Sequence, residues 1–192
     1  MVLKLYGNPI STCTKCAVVV LKEKNVPFKF IAIYFSKGEH KAPDFVAKQP
    51  FGQVPLLIRS HLLILFPDDD GFILYECRAI WRYIATKYAS QGPALIPLGD
   101  LEKNALFEQA ASSEQANFEP AQVIYYEKFY KKMIGQETDE AVVAENKAKL
   151  GGNLDVYEVI LSKQAYVAGN VCLLYSYPGL PGPRPPPGEG EH

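Results

Sequence analysis

Residues 2–33 read VLKLYGNPISTCTKCAVVVLKEKNVPFKFIAI, and the spacing of their apolar positions changes twice. Val2 to Tyr6 predicts a short strand with Leu3 and Leu5 on one face. Gly7-Asn8-Pro9 predicts a turn. Ser11 or Thr12 then supplies an N-cap for a helix running to about Lys24. Its apolar stripe is Cys13, Cys16, Ala17, Val20 and Leu21, which is helical spacing. Phe28 to Ile33, after Pro27, predicts a buried strand. The result is a strand–helix–strand unit long enough for a parallel crossover.

Outward from that unit the pattern continues. Ser36 to Pro50 is polar, with one short helix near Pro43 to Lys48. Val54 to Leu57 and Phe72 to Tyr75 predict two more strands. Cys77 to Tyr88 predicts a helix with Ile80, Tyr83, Ile84 and Tyr88 on one side. This order is that of a thioredoxin-like α/β domain, and it assigns residues 1–88 to it. Residues 89–100 are rich in Gly and Pro and predict a linker. From Asp100, a candidate helix cap, the pattern of residues 101–170 is all helical. Pro120 divides it. A further helix starts near Thr138 and carries Leu150, Leu154, Tyr157 and Leu161 at bundle-like spacing, weakened by Gly151 and Gly152 at about 1 kcal/mol each. Residues 171–192 form an atypical Pro/Gly-rich segment whose composition predicts disorder.

The bulk composition sets limits on function. Among 192 residues, 48% are hydrophobic and the formal net charge is −1, so no general attraction to nucleic acid or an anionic membrane is expected. The first residues lack the charged-then-apolar build of a signal peptide. Four cysteines are too few for a disulfide scaffold in a chain of this size. A reducing, cytoplasmic setting is the expectation.

Five stretches in order carry a more specific message: Leu3-Lys4-Leu5-Tyr6-Gly7, Ser11-Thr12, Gly38-Glu39-His40-Lys41, Pro50-Phe51-Gly52-Gln53-Val54-Pro55 and Glu76-Cys77-Arg78-Ala79-Ile80. The series resembles the glutathione site of phi-class glutathione transferases. The likeness covers residues 1–88 and continues more weakly to about Gly169. It implies an α/β thioredoxin-like domain followed by an all-α domain. It also implies attack of a glutathione thiolate on hydrophobic electrophiles. Glutathione would be a cosubstrate, with no other cofactor and no metal. A homodimer is implied by the likeness alone.

Each stretch has a physical task under that resemblance. A thiol of pKa about 8.5 is little ionised at neutral pH. Lowering that value by about two requires roughly 2.7 kcal/mol of preference for the anion. A hydroxyl at a helix start can donate to the sulfur, and the helix N-terminus adds partial positive charge. The resemblance places Ser11 there, with Thr12 beside it; as a bare residue Ser11 is equally a helix cap. Gln53, Val54 and Pro55 match a turn with a cis-proline, which leaves the Val54 backbone to pair with an extended tripeptide. Glu76 and Cys77 open a helix whose N–H groups suit the γ-glutamyl carboxylate, while Glu76 attracts the ammonium. Taken alone, Glu76 merely favours a helix dipole. The family's usual serine is Cys77 here, so a donor is lost and weaker glutathione binding is expected. His40 and Lys41 would meet the glycyl carboxylate; outside that context they read as a solvated loop. Arg78 and Arg82 receive no site role.

Two other functions compete. Cys13-Thr14-Lys15-Cys16 has the C-x-x-C spacing of a thiol–disulfide oxidoreductase, and a helix start lowers a thiol's pKa. Against it, the resemblance puts the reactive atom at Ser11, and both cysteines fall on the apolar stripe. A non-catalytic binder of apolar ligands is the other alternative. Tyr125, Tyr126, Phe129 and Tyr130 form an aromatic cluster at helical spacing, with Tyr125 and Phe129 as a hydrophobic-substrate site. The plainer account of such a stripe is core.

Two departures from the family stand out. Residues 58–67, Ile58-Arg59-Ser60-His61-Leu62-Leu63-Ile64-Leu65-Phe66-Pro67, intervene before a turn at Asp68-Asp69-Asp70-Gly71 and read as an insertion, the alternative being a longer hairpin. After Tyr166-Val167-Ala168-Gly169-Asn170 the chain leaves the family's helical continuation. Exposed apolar helix faces, low stability and incomplete second-substrate binding are the expectations.

Overall fold

The computed structural model of the chain describes residues 2–60 and 69–169. They belong to two compact units, one ending at Ile96 and the other starting at Pro97.

The first unit is built on a four-stranded sheet of order β2-β1-β3-β4. Strand β1 (Val2–Gly7) is joined through helix α1 (Thr12–Glu23) to β2 (Phe28–Ala32), which runs parallel to it. Strand β3 (Leu56–Ser60) is antiparallel to β1, and β4 (Asp69–Tyr75) is antiparallel to β3. Helix α2 (Pro43–Val46) lies between β2 and β3, and α3 (Cys77–Lys87) follows β4. This is the thioredoxin-like order expected.

Alternation along the strands divides the core. Leu3 and Leu5 are buried, and Leu5 lies opposite the buried Leu57. The intervening positions Leu56 and Ile58 pack with Ile33 and Phe45, and Tyr6, Val54 and Tyr75 close that cluster. Helix α1 buries Cys16, Ala17, Val20 and Leu21, and it packs against α3, which buries Ile80, Trp81, Ile84 and Ala85. Burying one such aliphatic side chain contributes about 1.5–3 kcal/mol.

Both ends of α1 are closed. Ser11 caps the start, its Oγ accepting the Thr14 N–H at 3.3 Å. At the other end Asn25 takes φ 51°, and the Val26 N–H returns to the Leu21 carbonyl at 2.9 Å. That is a Schellman closure with Asn in the left-handed position. The C-cap residue Lys24 is itself fully buried. Its Nζ donates to the carbonyls of Gln91 at 2.9 Å and Pro93 at 2.5 Å. Burial pushes its ammonium pKa below the usual lysine value. Between those carbonyls Gly92 has φ +59°, and a Cβ there would sit 2.1 Å from the Glu23 carbonyl oxygen. Only glycine fits this approach.

Four expectations need correction. Phe28 to Ile33 is not uniformly buried: β2 is an edge strand and Phe30 is exposed. With Val19 and Phe28 it lines an apolar groove of about 520 Å3 that contains none of the expected site residues. Strand β3 begins at Leu56, because Gln53 to Pro55 is spent on a turn, and it extends to Ser60. Ile58 to Ser60, read from sequence as the front of an insertion, therefore have a place in the sheet. Ile58 is buried between Lys4 and Ile73, and the Arg59 guanidinium lies over the Phe72 ring at 5.0 Å. Asp69 and Asp70, expected in a turn, begin β4, with Asp69 paired to Ser60. The rest of the insertion reading, and the tail 171–192, lie outside the described residues.

In the second unit α4 (Leu101–Asn117) starts at its expected cap, Asp100 accepting the Lys103 N–H at 3.0 Å. Pro120 lies in the first turn of α5 (Glu119–Tyr125), after the break at Phe118. A π-helical turn (Tyr126–Tyr130) and a short α6 (Lys131–Met133) follow. Helix α7 (Glu140–Leu161) is capped by Asp139, which accepts from Ala141 and Val142. Helices α5 and α7 pack together. Tyr157 links α7 to α4: its ring meets Phe118 at 5.2 Å, and its hydroxyl shares a 2.9 Å hydrogen bond with Ser113. Among the predicted stripe of α7, Tyr157 is buried but Leu154 is exposed.

Candidate functional site

The registers of the sheet gather the expected site at one end of the first unit. Gly7 lies opposite Ala32, Tyr6 opposite Leu56, and Leu56 opposite Tyr75. At that end β1, β2 and β4 finish and β3 begins. The segments leaving there carry Ser11 and Thr12, His40 and Lys41, Gln53 to Pro55, and Glu76 with Cys77. Residues distant in sequence share an edge because strand pairing puts them there.

The approach to α1 is held by Asn8, which the sequence placed in a turn and gave no part in the site. It is buried; its backbone N–H donates to Thr14 Oγ1 at 3.2 Å and its Nδ2 to the Ile33 carbonyl at 2.8 Å. Its Oδ1 accepts from the Ile10 N–H at 3.0 Å. The Asn-Pro turn was the sequence signal for it. These bonds fix Ser11 at the helix start. A serine hydroxyl has one hydrogen and two lone pairs. Accepting the Thr14 N–H uses a lone pair, so the hydroxyl hydrogen is still there to donate. Cap and donor are compatible roles for one side chain.

The second wall is drawn in by Gly52. It has φ +59°, and a Cβ on it would stand 2.7 Å from the His40 carbonyl oxygen and 2.8 Å from Lys41 Nζ. Glycine thus lets the His40–Lys41 turn lie against the strand-entry turn. Lys41 Nζ donates to the Phe51 carbonyl at 2.9 Å. His40 Nδ1 is buried with no hydrogen-bond partner, and its ring meets Phe35 edge-on at 4.9 Å. Burial, and then the Lys41 charge, lower the His40 pKa, so the ring is neutral at pH 7. Next in the chain Gln53 is exposed, Val54 is half-buried, and the Val54–Pro55 peptide is cis.

The third wall is the start of α3. Glu76 is exposed and stands at the N-cap with φ 67° and ψ 112°. A non-glycine residue held there costs roughly 1–3 kcal/mol, strain of a kind that concentrates at ligand-binding positions. Cys77 behind it is buried. It acts on the ionisation of Cys13, at the start of α1. Cys13 is half-buried and its pKa is lowered from 9.0 to about 7. Cys77 is the main cause, helped by Arg78 and Thr12 and opposed by burial and Glu76. Cys77 is pushed up in turn, first by Cys13 and then by burial. Cys16 is fully buried one helical turn further along. The sequence paired Cys13 with Cys16 by spacing and gave Arg78 no part; tertiary packing adds Cys77 and Arg78 to its surroundings.

In the second unit Tyr125 and Phe129 stack at 5.3 Å and are exposed, as is Tyr126. The core account of this cluster is therefore overturned. The buried member of the turn is Glu127. It accepts the Asp139 N–H at 2.9 Å and pairs with Lys131 at 2.8 Å, tying the π-helical turn to the start of α7. Among the described residues no group of three or more His, Cys, Asp or Glu is placed to hold a metal ion. No described helix is long and apolar enough to cross a membrane.

Comparison with known proteins agrees with this arrangement. The family model for the glutathione S-transferase N-terminal domain matches residues 1–86. Glutathione S-transferase PM239X14 of Arabidopsis thaliana is 41% identical over 171 residues, covering 88% of this chain and 74% of its own. The crystal structure of glutathione transferase F7 from Populus trichocarpa superposes with a TM-score of 0.81 at 36% identity, covering 92% of this chain and 79% of that one. Glutathione S-transferase I from mais, solved with an atrazine–glutathione conjugate, superposes with a TM-score of 0.77 at 32% identity, over 93% of this chain and 78% of that one. On fold, on extent and on identity, the chain belongs to the glutathione S-transferase family.

Proposed function

We propose that the first unit holds glutathione at the converging strand ends and presents its sulfur, as a thiolate, to an apolar electrophile. The observation that carries this reading is the Ser11 hydroxyl, which caps α1 through a lone pair and keeps its hydrogen for the sulfur. The N–H groups of Thr12 and Cys13 at the same helix start add to the field that favours an anion. The glycyl carboxylate is assigned to neutral His40 as a hydrogen-bond donor and to Lys41 as the charge. The Val54 backbone, with Gln53 and Pro55 setting its turn, pairs with the extended tripeptide. The γ-glutamyl end is assigned to Glu76, for the ammonium, and to the Cys77 N–H, for the carboxylate. The sulfur then attacks an electrophilic carbon; the new S–C bond forms as the leaving group departs with the bonding pair.

The conjugate seen on the mais protein supports an apolar partner of this chemical class. Tyr125 and Phe129 are proposed as its aromatic contacts, on the strength of their exposure and stacking. Residues 1–88 and 101–170 are proposed as the functional domains, joined by 89–100. Family membership supports a homodimer, and the reduced Cys13, Cys16 and Cys77 are compatible with a cytoplasmic setting. Sedimentation of the purified chain tests the first and cell fractionation the second.

Ser11 is tested by separating its two roles. Ser11→Ala is expected to lower conjugation of an aromatic halide by about 100-fold or more and stability by about 1 kcal/mol. Ser11→Asp keeps a helix cap but has no hydroxyl, so stability returns and conjugation does not. Full activity in Ser11→Asp would refute the thiolate role. Apolar ligand binding with no conjugation in the unmodified chain would make it a carrier instead.

A further inference from the structure

Helix α1 carries a second stripe beside its buried one. Lys15, Val18, Val19 and Lys22 follow one another at i, i+3, i+4 and i+7, so they share one face. Opposite them Phe28 and Phe30 stand two residues apart on β2 and project from the same side of it. These six side chains line the apolar groove of about 520 Å3, a volume in the range of small-molecule sites. Val19 and Phe30 are exposed in it, and β2 is an edge strand.

Charge is distributed unevenly around this groove. No acidic side chain lines it. Among the described residues neither Lys15 nor Lys22 enters an ion pair. The two lysines stand at opposite ends, about 10.5 Å apart along the helix. They differ in what the helix itself offers them. Lys22 is in the last turn, where unpaired carbonyls favour a cation. Lys15 is in the first turn, where unpaired N–H groups favour an anion, and that turn has no acidic residue. Lys15 is therefore a cation without a counter-charge at the mouth of an apolar groove.

We propose that this groove binds a medium-chain fatty acid anion, with its carboxylate at Lys15 and its chain laid along Val18, Val19, Phe28 and Phe30 toward Lys22. The lining between the two lysines is aliphatic and aromatic, which suits a hydrocarbon chain and offers nothing to a second polar group. The stem of Lys22 covers the far end of the chain while its ammonium stays in water. None of the lining residues is assigned to glutathione, so the acid and glutathione bind at the same time.

Calorimetry of the full chain with decanoate tests this, alone and with S-hexylglutathione present. Decanoate is expected to bind in both cases. It is expected to bind up to about 15-fold more tightly than octanoate, at about fourfold for each buried methylene. Decyltrimethylammonium, with the same chain and the opposite charge, is expected not to bind. Lys15→Gln is expected to weaken decanoate about fivefold and Phe30→Gln about tenfold. Lys22→Gln, which keeps most of the stem, is expected to change it by less than about twofold. Thermal melting checks that the variants fold; if Phe30→Gln does not, the three ligands on the unmodified chain decide the matter. Loss of decanoate binding in the presence of S-hexylglutathione would place the acid in the conjugation site and overturn the proposal. Equal binding of the ammonium, or full affinity in Lys15→Gln and Phe30→Gln, would overturn it too. A dimer that falls to a monomer in Phe30→Gln would show the groove covered by a second copy of the chain, and would likewise exclude the acid.

Discussion

The two units solve the packing problem differently. In the first, strand alternation sends large aliphatic side chains to buried positions, Leu5, Leu56, Leu57 and Ile80 among them. In the second, Leu101 on α4 is 84% exposed and Val156 on α7 is 60% exposed, while polar links such as Asn153 to the Asn117 carbonyl and Glu127 to the Asp139 N–H join the helices. A site made of several loops needs strand ends fixed in register. The first unit meets that need through its sheet; the second presents helix surface.

The sharpest way to break this contrast is a core deletion. Leu5→Ala is expected to cost about 2–5 kcal/mol, measured by denaturant unfolding of the whole chain. A cost near zero would mean that the sheet core is not what holds the first unit together. Next in size is Gly52→Ala. It combines an unfavourable left-handed backbone with a 2.7 Å approach to the His40 carbonyl, a penalty of about 1–3 kcal/mol. Glutathione affinity is expected to fall with it, by about tenfold for each 1.4 kcal/mol that reaches the bound state. Retained affinity would show that the His40–Lys41 turn has no part in binding.

A smaller effect concerns Cys13. Its pKa is lowered, so the thiolate is favoured by folding: the stability it lends is full above 9.0, the ordinary thiol value, and is lost as pH falls through about 7. Alkylation of Cys13 is accordingly expected to reach half its maximal rate near pH 7. Cys77→Ala removes the largest cause of the lowering and is expected to move the midpoint upward. A midpoint unmoved by Cys77→Ala would show that the helix start and Arg78 set the value. Smallest of all, Val159→Ala on α7, where Val159 is 58% exposed, is expected to change stability by less than about 0.5 kcal/mol. A larger loss would show that this face is covered in solution.

Local signals in the sequence were read where the cause was local. The Ser11 cap, the Asp100 cap and the helix break at Pro120 each follow from a residue acting on its own neighbours. The turn before Leu56 was matched through resemblance. What escaped depends on partners far along the chain. Ile58 to Ser60 resembled inserted material because their reason for being a strand is β1, which precedes them by more than fifty residues. Cys13 was paired by spacing with Cys16, whereas the largest influence on its pKa is Cys77 on another helix. The aromatic cluster at Tyr125 was read as core because helical spacing marks a stripe without saying what faces it; the buried residue proved to be Glu127. Gly52 was quoted as part of a motif, yet the need for glycine there comes from the His40 carbonyl.

One consequence belongs to Lys24. Its ammonium sits in a cradle of two carbonyls at the end of α1 opposite Ser11, and twelve helical residues span roughly 18 Å. A rod pinned at its base cannot slide or roll at its tip without tearing the pin. Precision at the chemical end is thus inherited from an anchorage that touches no substrate. Wear at that anchorage would surface as blurred chemistry, far from the damage that caused it.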